Sequence, residues 1–204
     1  PSLAILALPF VLRLGRSLLG RSWLALAGDL RVMLFPLAGF LALVMSVNAI
    51  NQFRYGVFRN NDFRAGPFAD AHASLARIGH DGFKRFVTFP KEARARAYAV
   101  SPAARELAPF LDGEPGTKWV KASQHYPRPW GCNDSPRFCN DEILSAWFVW
   151  ALRDAVAAAG HYRSASEADA YYRRLATEID AACDSGAIPC DGKPLGLMPK
   201  LRNH

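Results

Sequence analysis

Val32–Ile50 reads VMLFPLAGFLALVMSVNAI, nineteen residues without a charge. As an α-helix this run is roughly 28 Å long, close to the hydrocarbon thickness of a bilayer. Uncharged runs of this length are uncommon in soluble cores, so the stretch predicts a transmembrane helix over 32–50. The competing reading is a buried helical hairpin in a soluble protein. Pro36 lies near the start of the run, where a missing backbone N–H costs least.

On the N-terminal side, Leu3–Leu12 is also apolar but too short to cross a bilayer. The chain begins with Pro1 and is expected to be a piece of something longer, with 3–12 the remnant of another span. No charged n-region precedes this run, so a secretory signal is not expected. Between the two runs lie Arg13, Arg16, Arg21 and Arg31, with one acid, Asp29. These arginines place that side in the cytoplasm, although Arg54, Arg59 and Arg64 on the other flank reduce the bias. Ser22–Ala27 (SWLALA) reads as a short interfacial helix with Trp23 at headgroup level.

On the C-terminal side, 51–66 (NQFRYGVFRNNDFRAG) is a polar and aromatic exit linker, and 67–204 is a helical domain. Phe68–Ile78 reads as a helix stopped by Gly79, and Pro102–Leu111 as one capped by Ser101. Gly82–Phe89 and Lys118–Ser123 are the candidate extended segments. Asp141–Ala159 is the strongest helix, capped by Asn140 or Asp141 and ended by Gly160, with Trp147, Phe148 and Trp150 as core anchors. Ala165–Asp184 follows, with Ser164 and Glu167 as a capping box. Its Ala168, Tyr171, Tyr172, Leu175, Ile179 and Ala182 form one stripe at helical spacing. The expected fold is therefore mainly α: one or two transmembrane helices, then a small, disulfide-stapled helical domain with few or no strands.

The four cysteines form two pairs with the same spacing, Cys132 and Cys139, Cys183 and Cys190. Six residues between partners is wider than usual metal spacing, and no histidine pair accompanies them. An even count beyond a membrane span points to disulfides and an oxidising compartment. Local pairing, Cys132–Cys139 and Cys183–Cys190, is favoured over cross-linking of the two segments. Together with the arginines, this places the domain outside the cytoplasm.

The net charge of +7 is carried by scattered residues such as Arg94, Arg96, Arg105, Arg153, Arg173 and Arg174. Without a basic run or interleaved stacking aromatics, it describes a solvated basic surface and excludes a nucleic-acid partner. The signatures of phosphate loops, nucleophile elbows, zinc proteases and EF-hands are absent. No catalytic residue, metal or cofactor is assigned. The densest chemistry lies in 125–141, where His125, Tyr126, Arg128, Trp130 and Asp134 are the candidate binding residues. Asn133, Arg137, Asn140 and Asp141 lie beside them. Oxygens on such a loop suit Ca²⁺, and its aromatic and arginine groups suit a sugar or peptide. The plainer reading, a stapled surface loop with Asx turns, is preferred.

Three stretches carry a resemblance: Tyr98–Gly113 (YAVSPAARELAPFLDG), Ala146–Ala165 (AWFVWALRDAVAAAGHYRSA) and Ala181–Cys190 (AACDSGAIPC). Over most of 90–200 the chain resembles the C-terminal extracytoplasmic region of bacterial polytopic inner-membrane proteins of unassigned function. Some of those resemble membrane glycosyltransferases that use lipid-linked sugars. The resemblance implies an inner-membrane protein whose soluble domain is periplasmic. Its expected partners are the lipid bilayer and the remaining transmembrane segments of a longer parent protein. The function it implies is non-catalytic, in interaction or assembly. The alternative is an accessory or acceptor-binding domain of a glycosyltransferase. Catalytic carboxylates would then lie upstream, so none is carried over to this chain.

Overall fold

A computed structural model describes residue 15 and residues 23–61, 63, 66–81, 86–124 and 141–194. The chain divides into two compact units, Pro1–Arg54 with Phe58–Asn60, and Tyr55–Val57 with Asn61–His204. The proposed remnant span 3–12 lies outside the described residues.

The first unit is built on α1 (Trp23–Tyr55), a single helix of 33 residues. Of the expected interfacial helix Ser22–Ala27, residues 23–27 are the start of α1 and not a separate helix, and Ser22 lies outside the described residues. The first residues of the expected linker, 51–55, are the helix's last turns. Nothing in VNAINQFRY breaks a helix before Gly56, which takes a left-handed φ of 74°. Pro36 consequently lies well inside the helix, where it removes one i→i−4 bond. Leu34–Tyr55, 22 residues, is long and apolar enough to cross a membrane, and none of its most apolar window is buried inside the protein. Leu34, Phe35, Leu37, Phe40 and Leu43 point in different directions around the axis, and all are exposed. A helix apolar on all sides needs an apolar surrounding. Among the described residues the chain does not supply it, unlike a helix buried in a soluble core. Ser46 satisfies its hydroxyl within the helix by donating to Ala42 O at 2.7 Å.

The second unit is an assembly of short helices: α2 (Pro67–Ala76), α3 (Lys91–Val100), α4 (Pro102–Glu106), α5 (Ala108–Leu111), α6 (Gly116–Gln124), α7 (Ser145–Ala158) and α8 (Ala165–Asp184). Among the described residues there is no strand, only an isolated antiparallel bridge between Ile78 and Cys190. Lys118–Ser123 is not extended but lies in α6, with Ser123 turned into the core. The Trp-Val pair there carries β-propensity, but tertiary packing overrides it. The Pro102–Leu111 helix is broken at Leu107, because Pro109 has no N–H to continue the ladder. α7 begins four residues later than the sequence suggests. Its start is held from outside by Ser145 N donating to Phe86 O at 2.7 Å, not by Asp141; Asn140 lies outside the described residues. Asp141 instead takes a left-handed turn, φ 53°, which its short polar side chain tolerates.

The domain core is the contact of α2 with α8, flanked by α3, α4 and α7. Every residue of the α8 stripe is buried. Ala71, Ala93, Ala97, Ala103, Ala151 and Ala155 are fully buried, and their small side chains let the helices approach closely. Phe148 is a core anchor as expected, but Trp147 is half-buried and Trp150 is 38% exposed. α7 buries one face only, and Trp150 lies edge-on to Phe63 at its margin.

Cys183 and Cys190 are disulfide-bonded, Cα–Cα 5.5 Å. Cys132 and Cys139 lie outside the described residues. The bond holds a strap, 185–193, against the end of α2. Gly79 N donates to Pro189 O and Asp191 N to Arg77 O, both at 2.7 Å. Arg77 also pairs with Asp180 (3.1 Å) and Asp184 (2.9 Å), and Lys193 with Asp180 (2.7 Å). Burial works against the Asp180 charge, but Lys193 and Arg77 outweigh it and hold that carboxyl below its usual range. Closing so short a loop removes unfolded-state entropy worth about 2.5 kcal/mol. Cys183→Ser with Cys190→Ser should therefore lower the unfolding free energy by about that much, measured by urea denaturation of the full chain in detergent. The helical content of the folded state should not change.

Candidate functional site

The candidate binding residues His125, Tyr126, Arg128, Trp130 and Asp134 lie outside the described residues, as do Asn133, Arg137 and Asn140. Both ends of that segment are described, and both are anchored in the core. Ser123, fully buried, donates from Oγ to Trp119 O at 2.7 Å and accepts Leu144 N at 3.1 Å. This one hydroxyl fastens the end of α6, two residues before the segment, to Leu144, three residues after it.

Beside that fastening lies the most deeply buried ion pair among the described residues. Glu142 is 2% exposed and Arg94 1%. Arg94 Nη2 donates to Glu142 Oε2 at 3.1 Å. Its Nη1 reaches Leu111 O at 2.9 Å and Asp112 Oδ1 at 2.8 Å. The first N–H of α3, that of Lys91, donates to both Glu142 oxygens at 3.1 and 3.0 Å. Glu142 therefore serves as the cap that α3 lacks locally, since Pro90 in the cap position offers no acceptor side chain. Burial, then Asp112, pushes the Tyr98 phenol well above its ordinary value, and Arg94 opposes this in part. Arg94 is thus no part of a solvated basic surface. It is the counter-ion of a carboxylate 48 residues away.

A second titratable cluster lies where α4 meets α8. Glu106 accepts from Arg174 Nη2 at 2.7 Å and lies 2.9 Å from His161 Nε2. The His161 ring stacks on Tyr171 with centroids 4.1 Å apart, and Arg174 Cζ lies 5.1 Å from the centroid of the same tyrosine ring. Tyr171 donates its hydroxyl to Ala103 O at 2.6 Å. Burial and Glu106 push that phenol up. A carboxylate that orients an imidazole is a general-base arrangement in outline. Here Arg174 holds the carboxylate and the ring lies flat on a tyrosine, so the group links α4, α8 and the turn after α7. From sequence His161 offered only a helix-end interaction, because Glu106 lies 55 residues away.

His72 is buried on α2, its ring 5.4 Å from that of Phe148, and its Nδ1 has no hydrogen-bond partner. Desolvation lowers its pKa to about 4. Among the described residues no group of three or more His, Cys, Asp or Glu is placed to hold a metal ion. Comparison of the chain with protein-family models, curated proteins and solved structures finds no match.

Two outcomes follow from these charges. Glu142→Gln removes the buried one of Arg94's two carboxylate partners, leaving the half-exposed Asp112, and should cost about 3 kcal/mol of stability. Arg94→Met combined with Glu142→Gln should cost less than the two single changes added together, a coupling readable in a double-mutant cycle of urea midpoints. For His72 the folded value lies below the unfolded one, so only the unfolded chain takes up a proton between pH 6.5 and 4. Stability from this group is complete above pH 6.5 and falls on acidification, by about 2–3 kcal/mol at pH 4.5. His72→Phe should flatten that part of the pH–stability curve, whereas an unchanged slope would mean that His72 is protonated in the folded state.

Proposed function

We propose that this chain is a membrane-anchored, extracytoplasmic domain of a multi-span bacterial inner-membrane protein, serving interaction or assembly and no catalysis of its own. α1 crosses the bilayer, and the helical domain stands on the oxidising, periplasmic side. The carrying observation is α1 itself, 22 residues of candidate span with an apolar surface that the protein leaves uncovered. The Cys183–Cys190 bond supports the sidedness, because reducing compartments do not maintain such bonds. The ionisable clusters support the non-catalytic reading. Glu142 and Arg94 neutralise each other in the core, and Glu106, His161 and Arg174 bind one another across the α4–α8 contact.

Topology is read with a membrane-impermeant maleimide on intact spheroplasts expressing the full chain. Cys183 and Cys190 should stay unlabelled until an impermeant reductant is added, and then react without lysis. Thiols that react only after lysis, with no reductant needed, would place the domain in the cytoplasm and end this reading.

A further inference from the structure

The chain does not simply leave the membrane at the end of α1. Gly56, in the left-handed region, reverses it. Asn51, one turn before the helix end, then donates from Nδ2 to Arg59 O at 2.7 Å. A bond of that length between residues eight apart means that 58–59 lie alongside the last turns of the helix. Phe58 is thereby brought back to the depth of Phe53 and Arg54. Phe53 is 89% exposed, Phe58 50%, and Arg54 is exposed between them in sequence. Two uncovered phenyl rings are costly in water, and a guanidinium beside them is not.

The depth is set by the charges. Arg31 and Arg54 bound a stretch, 32–53, without an ionisable group. As helix it measures ~33 Å, so a bilayer core of about 30 Å leaves residues 53–54 at its edge. That edge is where aromatic rings and arginines are most favourable, the rings at the acyl boundary and the cation among phosphates.

We infer that the hook 51–60 is an interfacial anchor: Phe53 and Phe58 enter the acyl–headgroup boundary of the outer leaflet, and Arg54 takes a phospholipid phosphate. The Asn51–Arg59 hydrogen bond is what holds the hook down. The inference rests on the reading that α1 spans the bilayer, and the two fail differently.

The test places a nitroxide side chain, through a ketone-bearing amino acid that spares the cysteines, at positions 43, 53, 58 or 173 of the full chain in phospholipid vesicles. The ratio of oxygen to nickel-chelate collision rates reports depth. Position 43 should read as deep hydrocarbon, 173 on exposed α8 as water, and 53 and 58 as the interface, with ratios several-fold above that at 173. Asn51→Ala should lower the ratio at 58 toward that at 173 while leaving 43 unchanged. Arg54→Glu should lower it too, in vesicles containing anionic lipid. If 43 is deep and 58 equals 173, the anchor is wrong and the span stands. If 43 itself reads as water, the spanning reading fails and the anchor with it.

Discussion

A carboxylate buried at 2% exposure must be neutralised, and Glu142 is neutralised from two directions. Arg94 supplies charge, and the first N–H of α3 supplies a hydrogen bond and the positive end of a helix dipole. Both donors belong to α3. Glu142 therefore fixes where α3 begins, how it is rotated and how far it lies from the foot of α7. Arg94 extends the same constraint to the end of α5 through Leu111 O and Asp112. Apolar contacts would tolerate a slide of one residue. A buried ion pair does not, because a slide strands a charge in the core.

The rest of the domain repeats this device. α4, five residues long, receives a remote carboxylate at its start, with Glu178 of α8 accepting Ala103 N at 2.9 Å. Ser101 accepts Ala104 N beside it. Helices this short do not persist alone, because nucleation costs more than a few internal bonds return. They persist here through caps from distant chain and alanine faces packed at close range. The Cys183–Cys190 strap completes the scheme at the end of α8, tying it to α2 through Arg77. Hydrogen bonds of the strap and the covalent bond act on the same few residues, so the strap is held even where its chain has no regular structure.

α1 obeys the opposite rule. Among the described residues its apolar side chains find no cover, and two of its polar side chains bond to nearby backbone. Ser46 bonds back to Ala42, and Asn51 bonds forward to Arg59. A helix that exposes its apolar residues while bonding Ser46 and Asn51 to nearby backbone suits a solvent without water. The domain next to it is built for water, with charges outward unless paired. One chain thus carries two solvent requirements.

The reading of sequence succeeded where the signal is local. Nineteen uncharged residues set an unburied helix whatever the remainder does. The α8 stripe fixes a buried face because its period matches one helix, and the seven-residue step between Cys183 and Cys190 allows local closure. Caps, stop residues and helical spacing also made the domain mainly helical. The errors lie where distant chain intervenes. Lys118–Ser123 joined a helix because the core accepts Ser123, and α7 started late because Phe86 O receives its first N–H. The candidate cluster at 125–134 was legible only as composition, and its residues lie outside those described. Tertiary structure alone decided that Arg94 is core and not surface, that His161 has Glu106 for a partner, and that the exit of α1 turns back on itself. The reason is the same for all three. Sequence shows which groups must be satisfied, but a partner 48 or 55 residues away becomes a neighbour only once the helices between them have packed.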